Sequence, residues 1–475
     1  MPAMKQSLPP MLAALTALCL PLAASAATTP VPAAAIDREA RQLLHALKTP
    51  GATIAVAEDG RVVYARGYGL RDVAAKKGAD VNTHYEIGSM TKQFTAAAIL
   101  QLRDAGKLSL DEKISKVLPG APHANQITIR QLLTHTSGLA NYTNVSGFVS
   151  MAARPGTYEK IVASIAKKPL EFKPGSRWRY SNTNYIILGR IVEVLSREPY
   201  ERYIDRHEFV PAGMTHTHWI SDEPHLSDMA RGYRPLKNGG VAPAFPLRDR
   251  WAWSAGAIVS TVGDLVRWNE ALRSGKIVTR RDYREMTTPV RVAVGSSGGY
   301  GFGLIRDRFD GQERIWHNGG TFGFVSDGAY FPAQHLTIVA LTDSENGPAG
   351  AIVNDIFEAL HPRLAFKANA PARGENVGVT SRVEAFIDSL LRGHLERSQI
   401  TAKASKSLSD ATVKQVAKQF AVLGPPTAFV FRGSSVLPDA TKYVYLVRFK
   451  ATVLKLTVAI DAKSKKFSTF FFQSP

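Results

Sequence analysis

One cysteine, Cys19, stands in 475 residues, so no disulfide can form within the chain. The N-terminal apolar run, Met11 to Leu20, falls short of the ~20 residues that span a bilayer, which argues against a retained transmembrane anchor. Acid is scarce: 40 Asp+Glu face 59 Lys+Arg, for a formal charge of +19. There is no internal repeat, no H-E-x-x-H and no cysteine cluster, so neither a metal nor any other cofactor is expected. The 37 Gly and 27 Pro follow no period, which excludes collagen-like and low-complexity architectures. What is present is 45% hydrophobic and 21% charged residues, the balance of a soluble globular chain. Its length suggests about three domain-sized units, and a chain of this size buries roughly three-quarters of its unfolded surface without staples.

Lys5, the apolar run and Ala24-Ser25-Ala26 form the charged, hydrophobic and small-residue regions of a cleavable signal peptide. Residues 1–26 are therefore expected to be removed, taking Cys19 with them, and the protein to be periplasmic or secreted. A lipoprotein reading of Cys19 fails because Leu18 is not small. From Asn376 to Pro475, 15 Lys+Arg against 6 Asp+Glu give +9, half the excess charge. Such a stretch favours an anionic envelope surface, such as lipid headgroups or wall polymers. No nucleic-acid-reading motif accompanies it, and nucleic acid is not expected as a partner.

Ile36 to Leu47 has helical apolar spacing. Asp59-Gly60 between Ala52–Ala57 and Arg61–Gly69 signals a β-hairpin. A long helix is expected from Met90 to Ala105, stopped at Gly106. Leu108 to Pro246 reads as helices and loops. Strands are expected again at Tyr300–Ile305, Arg314–His317, Phe322–Phe331 and Leu336–Thr342, then a helix at Ala349–Leu360. Strands at both ends with helices between them predict an α/β (α+β) domain over residues 27–370, its antiparallel sheet flanked by helices and carrying an inserted helical domain. Residues 371–379 read as a linker, and residues 380–475 as a small α+β accessory domain. That last part holds helices at Arg382–Arg397 and Asp410–Leu423 and four strands after them.

Ser89-Met90-Thr91-Lys92 places a hydroxyl and an amine on one helix face, where the amine can take the hydroxyl proton if its charge is suppressed. The pattern alone is cheap, since Ser164-Ile165-Ala166-Lys167 matches it too. Tyr180-Ser181-Asn182 and His317-Asn318-Gly319, followed by Gly320, complete the ordered S-x-x-K, Y-x-N and K/H-x-G set. With these motifs the chain resembles the class C β-lactamase-like family of penicillin-binding serine hydrolases, which includes DD-carboxypeptidases, D-amino-acid peptidases and esterases. Tyr85 to Phe94, Leu132 to Leu139, Pro211 to Met214 and Ser254 to Gly256 have counterparts in the family, and the resemblance covers residues 36–362. It implies the β-lactamase/transpeptidase-like fold. The last hundred residues resemble small NTF2- or cystatin-like domains only weakly.

The resemblance implies the roles residue by residue. Ser89 would form the acyl-enzyme, Lys92 would activate it, and Tyr180 would shuttle the proton to the leaving group. Asn182 would bind the substrate amide, and the Ser89 and Gly320 N–H groups would form an oxyanion hole. Asn318, Gly319 and Gly320 would line the substrate strand, with Gly319 keeping its edge bare. His317, counted with Ser89, Lys92 and Tyr180 as a catalytic residue, stands where many relatives have Lys. A neutral imidazole holds a substrate carboxylate less firmly than an ammonium does, which turns the expectation from a dedicated β-lactamase toward a hydrolase of D-amino-acid peptides, DD-carboxypeptidase- or D-aminopeptidase-like, or of small esters. Two alternatives remain open at this point, a β-lactamase and a non-catalytic binding protein of the same fold. Gly295-Ser296-Ser297-Gly298-Gly299 fits G-x-S-x-G but lacks a strand before it and a helix after it, and is expected to be a loop. His216 and His218 have no metal-site spacing around them.

Overall fold

Asp59 and Gly60 close the first hairpin in left-handed conformations (φ 49° and 77°) between β1 (Gly51–Glu58) and β2 (Arg61–Asp72), the backbone that a two-residue turn requires. The computed structural model describes residues 32–236, 240–245, 251–362, 364, 374–436, 439–449 and 453–473. The expected signal segment and residues 371–373 of the expected linker lie outside them.

After the two-residue β3 (Lys77–Gly78) the chain leaves this sheet until Leu304. The excursion is mostly helical. Its strands are β4 (Tyr85–Glu86), β5 (His218–Trp219), β6 (Tyr233–Pro235), β7 (Val241–Pro243) and β8 (Ile258–Ser260), all short. The chain returns as β9 (Ile305–Phe309), β10 (Gln312–Thr321), β11 (Phe324–Phe331) and β12 (Leu336–Thr342). The resulting antiparallel sheet runs β3-β2-β1-β12-β11-β10-β9, so the first and last segments of the domain pair with each other, Ala52 opposite Thr342. β12 is buried along its whole length, and β1 along all but its last residue. Both are Val/Ile/Leu/Ala-rich because helices cover the two faces.

The helix Lys92–Asp104 runs through the core of the helical part with ten of its thirteen residues buried. Phe94 stacks on Trp268 at 3.8 Å. This burial removes water from the first turn of the helix, which matters for the lysine that opens it.

The expected strand at Tyr300–Ile305 is displaced. Residues 300–304 form a buried turn, and the strand begins only at Ile305. Gly299 and Gly303 adopt φ 88° and 68°, which breaks the extended run that the alternating apolar residues suggest. At Gly303 an added Cβ would meet the Lys92 carbonyl oxygen at 2.6 Å. The glycines let this turn press against the start of the Lys92 helix. Gly295 to Gly299 lie in a loop, as expected.

The C-terminal part has its own core. The helix Val377–Leu391 begins within the segment read as linker, capped by the Asn376 side chain on the Val379 N–H. With the helix Asp410–Phe420 it packs on a sheet of β13 (Ala428–Val436), β14 (Ala440–Arg448), β15 (Val453–Asp461) and β16 (Phe467–Gln473), antiparallel in that order. Val383, Phe386, Ile387, Tyr445, Leu456 and Val458 are buried together there. Arg448 on β14 pairs at 3.1 Å with Glu358 on the helix Ala349–Leu360 of the larger domain.

Candidate active site

Gly88 begins a single 3₁₀ turn, Gly88–Thr91, at φ 52°. A Cβ there would meet the Gly320 backbone N at 2.7 Å. Only glycine lets the turn that carries Ser89 come this close to β10. The helix then starts at Lys92, one turn after Ser89, so the lysine stands beside the serine while the Gly320 backbone N lies close to the turn that carries it.

Lys92 has no exposed surface. Its Nζ lies 3.0 Å from Ser89 Oγ, 2.9 Å from Asn182 Oδ1 and 2.6 Å from the Ala255 carbonyl oxygen. No carboxylate offsets the charge, and burial pushes the ammonium well below its ordinary range. A neutral amine has two N–H donors and one lone pair. Asn182 and Ala255 accept the donors, and the lone pair is left for the Ser89 O–H.

Tyr180 lies against the Ser89 hydroxyl, and burial raises its phenol well above the ordinary value. The amine also faces this ring: Lys92 Nζ sits 5.0 Å from the Tyr180 ring centre. Burial thus favours the neutral amine and the protonated phenol, the two groups that meet the one hydroxyl. Environments that push two titratable groups apart in this way define a base and an acid.

His317 stands behind the phenol. Its ring is 6.5 Å from that of Tyr180, Nδ1 lies 2.5 Å from the Asn318 carbonyl oxygen, and Nε2 lies 3.3 Å from the Tyr300 hydroxyl. Burial, with the nearby Lys92, pushes the imidazole down to about 3. It is a neutral ring held by Tyr300 and does not reach Ser89 directly.

β10 pairs with β9 only through Trp316. From His317 onward that edge has no strand beside it among the described residues, and an extended substrate backbone fits there. Gly319 has a different purpose from the one the sequence suggests. Its Cβ would collide with the Ile87 carbonyl oxygen at 1.9 Å, so the residue packs on the nucleophile turn instead of keeping the edge bare. Gly320 is open, with nothing within 4 Å of where a Cβ would stand. Asn318 is exposed on the opposite face from His317 and Gly319 and does not line the cavity at Ser89.

That cavity, about 310 Å³, is walled by Tyr142, Phe148, Trp251 and Phe322, with Asn182 and Thr321 among its polar lining. The loop from Asn141 to Ala152 supplies Tyr142, Thr143 and Phe148 to this lining. The one from Asp222 to Asp249 contributes none of the described lining residues. Tyr142 donates to the Trp251 carbonyl oxygen, tying two of the walls together. Ser164 is remote in role: its hydroxyl donates to the Ile161 carbonyl oxygen within its own helix.

Two positions without a motif signal of their own are brought in. The His135 ring lies 4.3 Å from that of Tyr180 and 4.7 Å from that of Tyr300. Its Nδ1 accepts from the Ser181 N–H and lies 3.0 Å from Asn184 Nδ2. Ser137 in turn donates to Asn184 Oδ1 at 2.6 Å. The segment Leu132–Leu139 thus buttresses the tyrosine, and the Tyr300 turn buttresses the histidine.

The Beta-lactamase family profile matches residues 36–362. The putative penicillin-binding protein PbpX of Bacillus subtilis is 30% identical over 311 residues, 65% of this chain and 75% of that protein. Among solved structures, a D-stereospecific amidohydrolase from Streptomyces sp. aligns with TM-score 0.60 and 27% identity over 69% of this chain and 98% of its own. The octameric penicillin-binding protein homologue from Pyrococcus abyssi aligns with TM-score 0.64 and 24% identity over 94% and 97%, a likeness of fold that extends into the C-terminal domain. The fold, the buried amine set against the serine turn and the match across two-thirds of the sequence lead to one assignment: this chain is a serine hydrolase and belongs to the Beta-lactamase family.

Proposed function

We propose that the protein is an exported acyl hydrolase that cleaves amides of D-amino acids, or small esters, through an acyl-enzyme on Ser89. The observation that carries this reading is the fully buried Lys92 amine 3.0 Å from Ser89 Oγ, with Asn182 Oδ1 and the Ala255 carbonyl oxygen as its other partners.

In the first step the Ser89 O–H proton passes to Lys92 Nζ as Oγ attacks the acyl carbon, and the oxyanion is held by the Ser89 and Gly320 N–H groups. Tyr180 gives its proton to the leaving nitrogen or oxygen and regains one from the lysine. Water then enters where the leaving group was, loses its proton along the same relay, and frees Ser89. Asn182 spends Oδ1 on Lys92 and keeps its Nδ2 donors for the substrate carbonyl. The aromatic walls favour an apolar acyl group, and the neutral His317 offers no cation to a substrate carboxylate. The neutral histidine supports amide or ester substrates over penicillins, which carry a carboxylate. The D-stereospecific amidohydrolase among the structural neighbours supports the amide arm. The N-terminal segment supports export, and the basic C-terminal domain supports peripheral contact with an anionic envelope surface.

Intact mass of the protein after reaction with a fluorophosphonate, with turnover of D- and L-phenylalanine amides and 4-nitrophenyl butyrate, tests the assignment. One adduct on Ser89 and turnover of the D-amide or ester, both abolished in Ser89→Ala, are expected. Turnover retained at wild-type level by Ser89→Ala would overturn the mechanism. Benzylpenicillin turned over faster than both substrate types would shift the assignment to a β-lactamase.

A further inference from the structure

A second cavity of about 510 Å³ adjoins the Ser89 pocket, and Phe322 lines both. Phe245, Phe322 and Phe324 supply aromatic walls, and among the described residues the charged lining is three carboxyl groups, Asp72, Glu86 and Glu223, against one cation, Arg231. On a chain of formal charge +19 this is a local reversal of sign.

Glu86 links the two cavities. It sits on β4 three residues before Ser89, is only 4% exposed, and has its carboxyl against the Thr321 hydroxyl and the Glu223 carboxyl. Thr321 lines the Ser89 pocket, so Glu86 lies in the wall between them. Neither Glu86 Oε2 nor Glu223 Oε1 has a hydrogen-bond partner. Two carboxyl groups in contact, with no protein donor on these oxygens, need a proton or a cation between them. Burial pushes Glu223 up to about 7 and Glu86 well above the carboxylate range.

The direction of the substrate follows from the roles of the residues around Ser89. Tyr180 and His317 mark the leaving-group side of the serine. Thr321 and Phe322 continue β10 beyond Gly320, on the acyl side. We propose that the Glu86–Glu223 cavity is a subsite for a primary ammonium group carried on the acyl part of the substrate. An ammonium brings three donors and no acceptor, which suits carboxyl oxygens lacking donors, and the phenylalanine faces favour a cation beside them. The subsite rests on the acyl-hydrolase reading for its direction, and its ligand chemistry stands on the cavity alone.

The test uses the full chain and four 4-nitroanilides: D-lysine, D-norleucine, and the N-acetyl derivative of each. Comparing lysine with norleucine isolates the side-chain ammonium, and acetylation isolates the α-ammonium. Loss of whichever group the subsite holds should cost at least about tenfold in kcat/KM, the range of a hydrogen bond to a charged group. In Glu223→Gln, and again in Asp72→Asn, that ratio should shrink toward one. Equal rates on all four, or a ratio untouched by both substitutions, would overturn the proposal. A binding measurement separates this outcome from failure of the hydrolase reading: pentylamine titrated into Ser89→Ala protein should bind, and should bind more weakly when Glu223→Gln is added. Pentylamine that fails to bind would refute the subsite, whatever the enzyme hydrolyses.

Discussion

Burial acts on Lys92 and Tyr180 in opposite chemical senses, because it disfavours charge in both: the ammonium loses its proton and the phenolate keeps one. The pH dependence follows with its sign fixed. As pH falls toward the lowered pKa of Lys92, the protonated and inactive fraction of the base grows, so kcat/KM declines on the acid side. His317, pushed down to about 3, stays neutral throughout that range and should not set the limb. We therefore expect the pH–rate profile of His317→Gln to keep its acid midpoint where the wild type has it, whatever the height of the curve. A midpoint that moves with His317→Gln would identify the imidazole as the titrating group and remove Lys92 from that role. The same buried lysine has a cost in stability. The unfolded chain takes up the lysine's proton at a higher pH than the native one does, so as pH falls from the ordinary lysine range toward the lowered native pKa the native state loses stability at this position.

At the scale of elements, the site depends on how closely a 3₁₀ turn and a strand approach each other. Gly88 and Gly319 face that contact from its two sides, and Gly320 points away from it. Gly319→Ala places a methyl 1.9 Å from the Ile87 carbonyl oxygen and 2.5 Å from Ser326 Oγ, an overpacking that should cost about 1–3 kcal/mol and spread Ser89 from Gly320. Gly320→Ala meets no atom within 4 Å and should unfold at the wild-type temperature. Thermal unfolding of the two variants side by side checks this, and equal melting temperatures would show the turn and strand to be loosely opposed. Most elements here are legible from period and turn chemistry, since β1, β2, β12 and the Lys92 helix are long, strongly patterned and bounded by Gly, Asp or Asn. The Tyr300 turn is not legible, because its apolar alternation mimics a strand and only the glycine backbone angles reveal otherwise. His135 is hidden for a related reason. Its segment, Leu132–Leu139, is recognisable, but its contact with Tyr180 depends on a chain crossing that no local pattern encodes. Gly319 could be recognised as necessary from its motif, yet the reason for it, a backbone oxygen behind it, is a tertiary fact.

Across the whole molecule, charge is divided unevenly: Asp72, Glu86 and Glu223 stand together beside the site, and about half the excess base lies in the C-terminal domain. Strand alternation sorts that base. Tyr445 and Val447 on β14 point into the domain core. Lys442 and Arg448 stand at odd spacings from them, so they look outward on the other face with Lys455, which lies opposite Leu446 on the neighbouring strand. Arg448 is taken up by Glu358. Lys442 and Lys455 line a cleft of about 490 Å³ with Arg308 of the larger domain. Sequence composition announces the charge, but only the pairing register shows that these lysines share one face. If that face meets an anionic envelope surface, the full chain should sediment with phosphatidylglycerol vesicles and not with phosphatidylcholine vesicles. Binding should be strong at about 0.1 M salt, where the Debye length is roughly 10 Å, and lost at about 1 M, where it is roughly 3 Å. The double variant Lys442→Glu/Lys455→Glu should release the protein at low salt while leaving hydrolysis of a soluble ester intact, because neither lysine approaches the Ser89 cavity. Vesicle binding that survives both the salt and the charge reversal would locate the contact elsewhere, and no binding at low salt would leave the basic domain as a solvated surface whose task is to pack against the helix that carries Glu358.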